Sequence, residues 1–169
     1  AGGWGAGETG GRTKREKRGR RTSCGWRIAG GKGGGDKLRM VVLGAGALGS
    51  LIGGYLARAG AEVTLIGRPA HMQAIRERGL KISGVRGEVT VGERLRAVTS
   101  PEEVEGEFDW LVLAVKGKDT ASALAGAERL RERVAAAFSV QNSVTKDDEL
   151  IAWFGDPRRV IGFATIEGA

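Results

Sequence analysis

Six residues carry chemistry that their types and order make readable. Gly44-Ala45-Gly46-Ala47-Leu48-Gly49 follows a short aliphatic run and opens an Ala/Leu-rich segment. Between a strand and a helix, each glycine of such a run has its own task. Gly44 permits the tight turn, Gly46 lets the backbone approach a pyrophosphate with no side chain between, and Gly49 lets the helix pack closely on the sheet. The start of the helix adds unpaired N–H groups and the positive end of its dipole. A lone Gly-x-Gly-x-x-Gly arises by chance in a chain with 30 glycines. Its position after a strand and before a helix turns it into an expectation of dinucleotide binding.

Three further residues fall where such a ligand would pass. The second aliphatic run ends Leu65-Ile66-Gly67-Arg68, with no acid to accept from a ribose hydroxyl. A carboxylate there would repel a 2′-phosphate, whereas an arginine fork grips one. The residues therefore predict NADP(H), with Arg68 as the phosphate clamp; a solvated surface arginine is the alternative. Lys116 directly follows an apolar run and either reaches cofactor phosphate or ribose or simply ends a strand in solvent. Asn142 holds the same place after the next run and either binds the ribose on the nicotinamide side or caps the turn before Thr145. Lys118 lies one step further into its loop and is expected in water. His71 is expected at the surface, and Tyr55 is read as packing within the first helix. Cys24 and His71 are the only cysteine and histidine. A metal would thus rest on carboxylates, and no such cluster is seen in the sequence.

Positioning these residues requires alternating strands and helices. Residues 40–43 read as a buried strand, 47–59 as a helix stopped by Gly60, and 62–66 as a second strand. Pro69 opens a helix ending at Gly79, and residues 80–83 with 88–91 suggest a small hairpin. Ser100-Pro101-Glu102-Glu103 has the pattern of a capped helix start. Residues 110–115 read as a strand, 120–134 as one helix and 135–141 as a strand. Thr145 caps a helix ending near Phe154, and residues 160–162 begin a last strand. This alternation predicts an α/β fold: a Rossmann-type, doubly wound, mainly parallel sheet.

The formal net charge of +7 is unevenly distributed. Residues 1–39 hold 11 Lys/Arg against 3 Asp/Glu, whereas residues 40–169 are nearly balanced. Residues 1–36 carry 13 glycines and no apolar periodicity, so residues 1–37 are expected to be a disordered leader outside a domain of residues 38–169. An Arg/Gly-rich arm can bind nucleic acid. The reading preferred is translated upstream sequence, with the true start at Leu38 or Met40. No apolar run approaches a membrane span, no signal-peptide core is present, and a cytoplasmic setting is expected.

The strings MVVLGAGALGSLIGGYLARAGAEVTLIGR, LVLAVKGKDT and SVQNS resemble the N-terminal half of the ketopantoate reductase (2-dehydropantoate 2-reductase) family over residues 38–169. The resemblance implies NADPH as hydride donor and ketopantoate as acceptor, giving pantoate for pantothenate and coenzyme A synthesis. It implies that Gly44, Ala45, Gly46, Ala47, Leu48 and Gly49 hold the pyrophosphate and Arg68 the 2′-phosphate. Lys116 and Asn142 would contact the cofactor, with the backbone near Gly168 beside the nicotinamide. The family has Asn-Gly where this chain has Asn142-Ser143, so the turn beside the nicotinamide is expected to differ. The family's C-terminal helical domain, which carries the general-acid lysine and most substrate contacts, is missing from these 169 residues, and no catalytic residue is assigned among them. The implication is a chain that binds NADPH but reduces ketopantoate negligibly, its oligomeric state open. The alternatives are a related reductase of another 2-keto acid and a non-catalytic NADP(H)-binding regulatory module.

Overall fold

Two aliphatic pentapeptides, Arg39–Leu43 (β1) and Glu62–Ile66 (β2), lie side by side as parallel strands, with Leu43 opposite Ile66. Between them runs the helix Ala47–Arg58 (α1), and after them comes Pro69–Arg78 (α2). The structure, a computed structural model, describes Gly2 and residues 37–84 and 87–163. The leader read from residues 1–37 falls almost wholly outside these residues. A two-stranded antiparallel hairpin, Leu80–Gly84 (β3) and Gly87–Val91 (β4), follows α2. Leu95–Val98 (β5), Phe108–Leu113 (β6), Val134–Ser139 (β7) and Val160–Ile161 (β8) complete the strands. Thr120–Ala125 (α3), Glu128–Arg131 (α4) and Lys146–Phe154 (α5) complete the helices.

The main sheet runs β5-β2-β1-β6-β7-β8, and every pairing in it is parallel. Counting only its own strands, the order is 3-2-1-4-5-6, that of a doubly wound sheet. Its central strands are mostly apolar because both faces are covered. Met40 and Val42 of β1 join a core with α1, α2 and the hairpin, whereas Val41 and Leu43 join one with α3, α4 and α5.

Four expectations need correction. Strand β5 is absent from the sequence reading: four residues interrupted by Arg96 give too little pattern, yet they pair with β2 from Val63 to Ile66. The capped start at Ser100 produces one 3-10 turn, Pro101–Glu103, although both halves of the capping box form. The chain then turns extended to bury Val104, which is 1% exposed. The single helix read over 120–134 is two short helices, the first capped at Gly126 and the second ending at Arg131, and Val134 belongs to the sheet opposite Phe108. Tyr55 does not pack in the core: it is 40% exposed, with the Arg58 guanidinium 5.9 Å from its ring centre. The sheet-facing side of α1 is instead made of small residues. A Cβ on Gly53 would lie 2.6 Å from Leu65, and one on Gly54 2.5 Å from Ile82.

The approach to β8 is held electrostatically. Asp156 caps the 3-10 turn Pro157–Arg159, accepting from the Arg158 guanidinium at 2.8 Å and its N–H at 2.9 Å. Arg159 donates to the carbonyls of Arg131, Val134 and Ala135 and lies over the Phe154 ring. The Arg158 side chain, and then its N–H, hold the Asp156 carboxyl at about 2, below its ordinary 3.8. A carboxyl that titrates lower in the folded state stabilises the fold above its ordinary value and loses that contribution as pH falls. Asp156→Asn is therefore expected to lower the melting temperature at neutral pH. The gap from the wild type should close as pH is lowered from about 4 to about 2, measured by thermal melts across that window.

Candidate functional site

β1 and β6 are neighbours in the sheet, and the helices that follow them lie on opposite faces. Doubly wound sheets take their ligands at this point, outside the carboxyl ends of the strands. The Gly44–Gly49 turn stands there. Gly44 has φ +101°, a backbone region open to glycine, and a Cβ on it would lie 2.6 Å from the Val115 nitrogen. A Cβ on Gly49 would run into the Gly44 carbonyl oxygen and approach Ala114 at 3.1 Å. A Cβ on Gly46 would meet nothing within 4 Å. Two glycines thus serve packing, and the third faces open space. Ala45 is buried, Leu48 half-buried, and Gly46 and Ala47 are exposed. The Ser50 N–H donates to the Gly46 carbonyl at 2.9 Å and the Gly46 N–H to the Gly44 carbonyl at 2.8 Å, so the N–H groups left without a backbone acceptor at the start of α1 are those of Ala47, Leu48 and Gly49. The first turn of α1 carries no acidic residue.

Arg68 is the residue that precedes α2, exposed, with Pro69 in the first helical position. Its carbonyl accepts from His71 and Met72, and its guanidinium has no hydrogen bond or ion pair among the described residues. The exit of β2 is seated against the glycine turn, since a Cβ on Gly67 would lie 3.1 Å from that of Ala45.

Lys116 lies three residues beyond β6, not directly at its end, and precedes the 3-10 turn Gly117–Asp119. It is exposed and pairs with no carboxylate among the described residues, whereas Lys118, also exposed, lies 3.9 Å from Asp119. Asn142 is likewise three residues past β7 and exposed. Its side chain caps nothing; the Ser143 hydroxyl takes that role, accepting from the Thr145 N–H at 3.4 Å. Ser143 has no positive φ, for Arg94 is the one non-glycine with that conformation among the described residues. Gly168 lies outside the described residues. Gly46, Arg68, Lys116 and Asn142 therefore follow the ends of β1, β2, β6 and β7, four adjacent strands spanning about 14 Å.

Two hydrogen-bonded groups were not foreseen from sequence. Ser50, 5% exposed, hydrogen-bonds His71 at 3.0 Å and ties α1 to α2. His71 is otherwise exposed, as expected. Gln141 is buried behind Asn142; its amide nitrogen donates to the Val115 carbonyl at 2.7 Å and the Thr120 hydroxyl at 2.8 Å. Its amide oxygen accepts from the Ser139 hydroxyl at 3.0 Å. The available signal was one polar residue closing an apolar run, which does not say whether the side chain points inward. Past the end of β5, Glu103 accepts from the Thr99 hydroxyl and N–H, which hold its carboxyl below the usual range.

Fold and turn together define a Rossmann-type α/β domain. The family model for ketopantoate reductase PanE/ApbA matches residues 40–169, and the chain belongs to that family. A 2-dehydropantoate 2-reductase of Pyrococcus abyssi is 40% identical over 133 residues, 78% of this chain and 41% of the relative. The PanE/ApbA family ketopantoate reductase of Ralstonia eutropha superposes with a TM-score of 0.63 at 34% identity, over 75% of this chain and 40% of that one. D-mandelate dehydrogenase, solved with NADH and anilino(oxo)acetate, gives a TM-score of 0.65 at 27% identity, over 78% and 41% of the two chains. The chain thus spans about two-fifths of the length of these relatives.

The different surroundings of the glycines give a stability contrast. Gly49→Ala forces a carbon against a carbonyl and is expected to destabilise by about 1–3 kcal/mol. Gly46→Ala, with open space around it, should cost less than about 1 kcal/mol. Urea unfolding of the two variants measures the difference.

Proposed function

We propose that residues 38–169 form an NADP(H)-binding domain, with residues 1–37 a leader outside it. In this reading the domain is the cofactor-binding portion of a reductase converting 2-dehydropantoate to pantoate, on the route to pantothenate and coenzyme A. The observation that carries the reading is the pairing of an open glycine turn at the sheet's switch point with an unpaired arginine at the end of β2. Membership of the ketopantoate reductase family supports the substrate.

The residues present fit the cofactor. The open space at Gly46 and the outward N–H groups of α1 suit a pyrophosphate, flanked by Gly44, Ala45, Ala47, Leu48 and Gly49. Arg68 offers a fork to the 2′-phosphate. Lys116, past the end of β6, reaches cofactor phosphate or ribose, and Asn142, past the end of β7, holds the ribose on the nicotinamide side. Bound NADPH supplies a hydride to the ketone carbon of the substrate. The developing alkoxide also needs a positioned proton donor. Of the described lysines on this edge, Lys116 and Lys118 are exposed, and Lys146, which opens α5, is buried and ion-paired with Asp147 at 2.7 Å. No general acid is assigned among them.

A fluorescence titration tests the clamp. The 169-residue chain should bind NADPH at least about tenfold more tightly than NADH, and Arg68→Ala should remove that preference without weakening NADH. Equal affinity for the two in the wild type refutes the 2′-phosphate reading and favours an NADH-using relative, such as the D-mandelate dehydrogenase solved with that cofactor. The same chain should reduce ketopantoate negligibly under saturating NADPH. Robust oxidation of NADPH in that assay would show that a proton donor is already present.

A further inference from the structure

We infer that Gln141 is a positioning residue that sets the nicotinamide-side half of the site independently of the adenosine-side half. The inference rests on the cofactor reading above and assigns a task to a residue which that reading leaves unused.

A doubly wound sheet divides its ligand between two halves, one at each side of the switch point. Here β1, β2 and β5 make one half, and β6, β7 and β8 the other. The Gln141 amide works wholly within the second. Val115, whose carbonyl it holds, immediately precedes Lys116. Thr120, whose hydroxyl it holds, is the first residue of α3, so the amide closes both ends of the loop carrying Lys116. Gln141 itself immediately precedes Asn142. Its own N–H and its amide oxygen are both tied to the Ser139 hydroxyl, so the anchor stands on β7. Thr120 and Ser139 are fully buried and Gln141 nearly so. A polar network that is buried and satisfied at every member has one arrangement, and removing a member leaves partners stranded without water. Neither Arg68 nor its neighbours on β2 and α2 hydrogen-bond to this network among the described residues. Loss of the amide should therefore free Lys116 and Asn142 together and leave Arg68 where it is.

The test compares two ligands on the 169-residue chain by calorimetry: NADPH, which needs both halves, and adenosine 2′,5′-bisphosphate, which needs only the first. Gln141→Leu keeps the volume and removes the hydrogen bonds. It should weaken NADPH about tenfold or more while the bisphosphate stays within about twofold. A parallel loss for both ligands means general loosening, and unchanged NADPH binding means no positioning role; either overturns the inference. Should Gln141→Leu fail to fold, Thr120→Val removes one partner at nearly constant shape and must give the same divergence between the ligands, or the inference fails. Wild-type chain that binds neither ligand overturns the cofactor reading and this inference with it. Wild-type binding of both, matched by the variants, overturns the inference alone.

Discussion

At Gly44 two loops meet with no room for one carbon atom between them. The chain leaving β1 turns back through a positive φ, and the backbone of Ala114 and Val115, leaving β6, occupies the place a side chain would take. The rest of this edge is referenced to that contact. It fixes where α1 begins and so where its unpaired N–H groups point. It also fixes Val115, whose carbonyl is the acceptor for Gln141. On the other flank Gly67 packs against Ala45, which ties the exit of β2, and hence Arg68, to the same turn. Close backbone approach joins the loops after β2, β1 and β6, and the Gln141 hydrogen bonds join the loop after β7 to them.

Two cations at this edge stand apart from the rest. Arg68 and Lys116 have no ion-pair partner among the described residues, whereas Lys118 pairs with Asp119 and Lys146, at the start of α5, with Asp147. Surface ion pairs contribute little to stability, so their presence at other places says little. Two cations left unmatched on either side of a helix N-terminus, however, add their fields to its dipole, in a region where the helix itself brings no acid. The local field at the start of α1 is therefore positive.

Residues 39–91 were nearly transparent in sequence, and the described residues after them less so, for physical reasons. Strand β2 and the starts of α1 and α2 follow from uninterrupted aliphatic runs, a glycine turn and a helix-opening proline, all of them local signals. Strand β5 is a short edge strand whose Arg96 breaks the apolar pattern, and only its partner β2 makes it a strand. The helix read over residues 120–134 has good local propensity throughout. It nonetheless breaks at Gly126, and Val134 goes to the sheet opposite Phe108, a partner distant in sequence. In the site, the glycine turn and Arg68 were readable because their roles depend on neighbours in the chain. Gln141 was not, because both groups it donates to lie more than twenty residues away.

Helix α1 holds three glycines, at positions 49, 53 and 54, within twelve residues. Each lowers intrinsic helix stability by about 1 kcal/mol relative to alanine, so the segment has little tendency to be helical alone. Docking on Leu65 and Ile82 supplies what the sequence withholds, because only glycine lets the helix come that close. The turn and the helix behind it are thus products of tertiary assembly. In folding, α1 should condense with the sheet and hairpin instead of nucleating them. In the native state, its amides should exchange with solvent through detachment of the whole helix, in step with the strands that carry it.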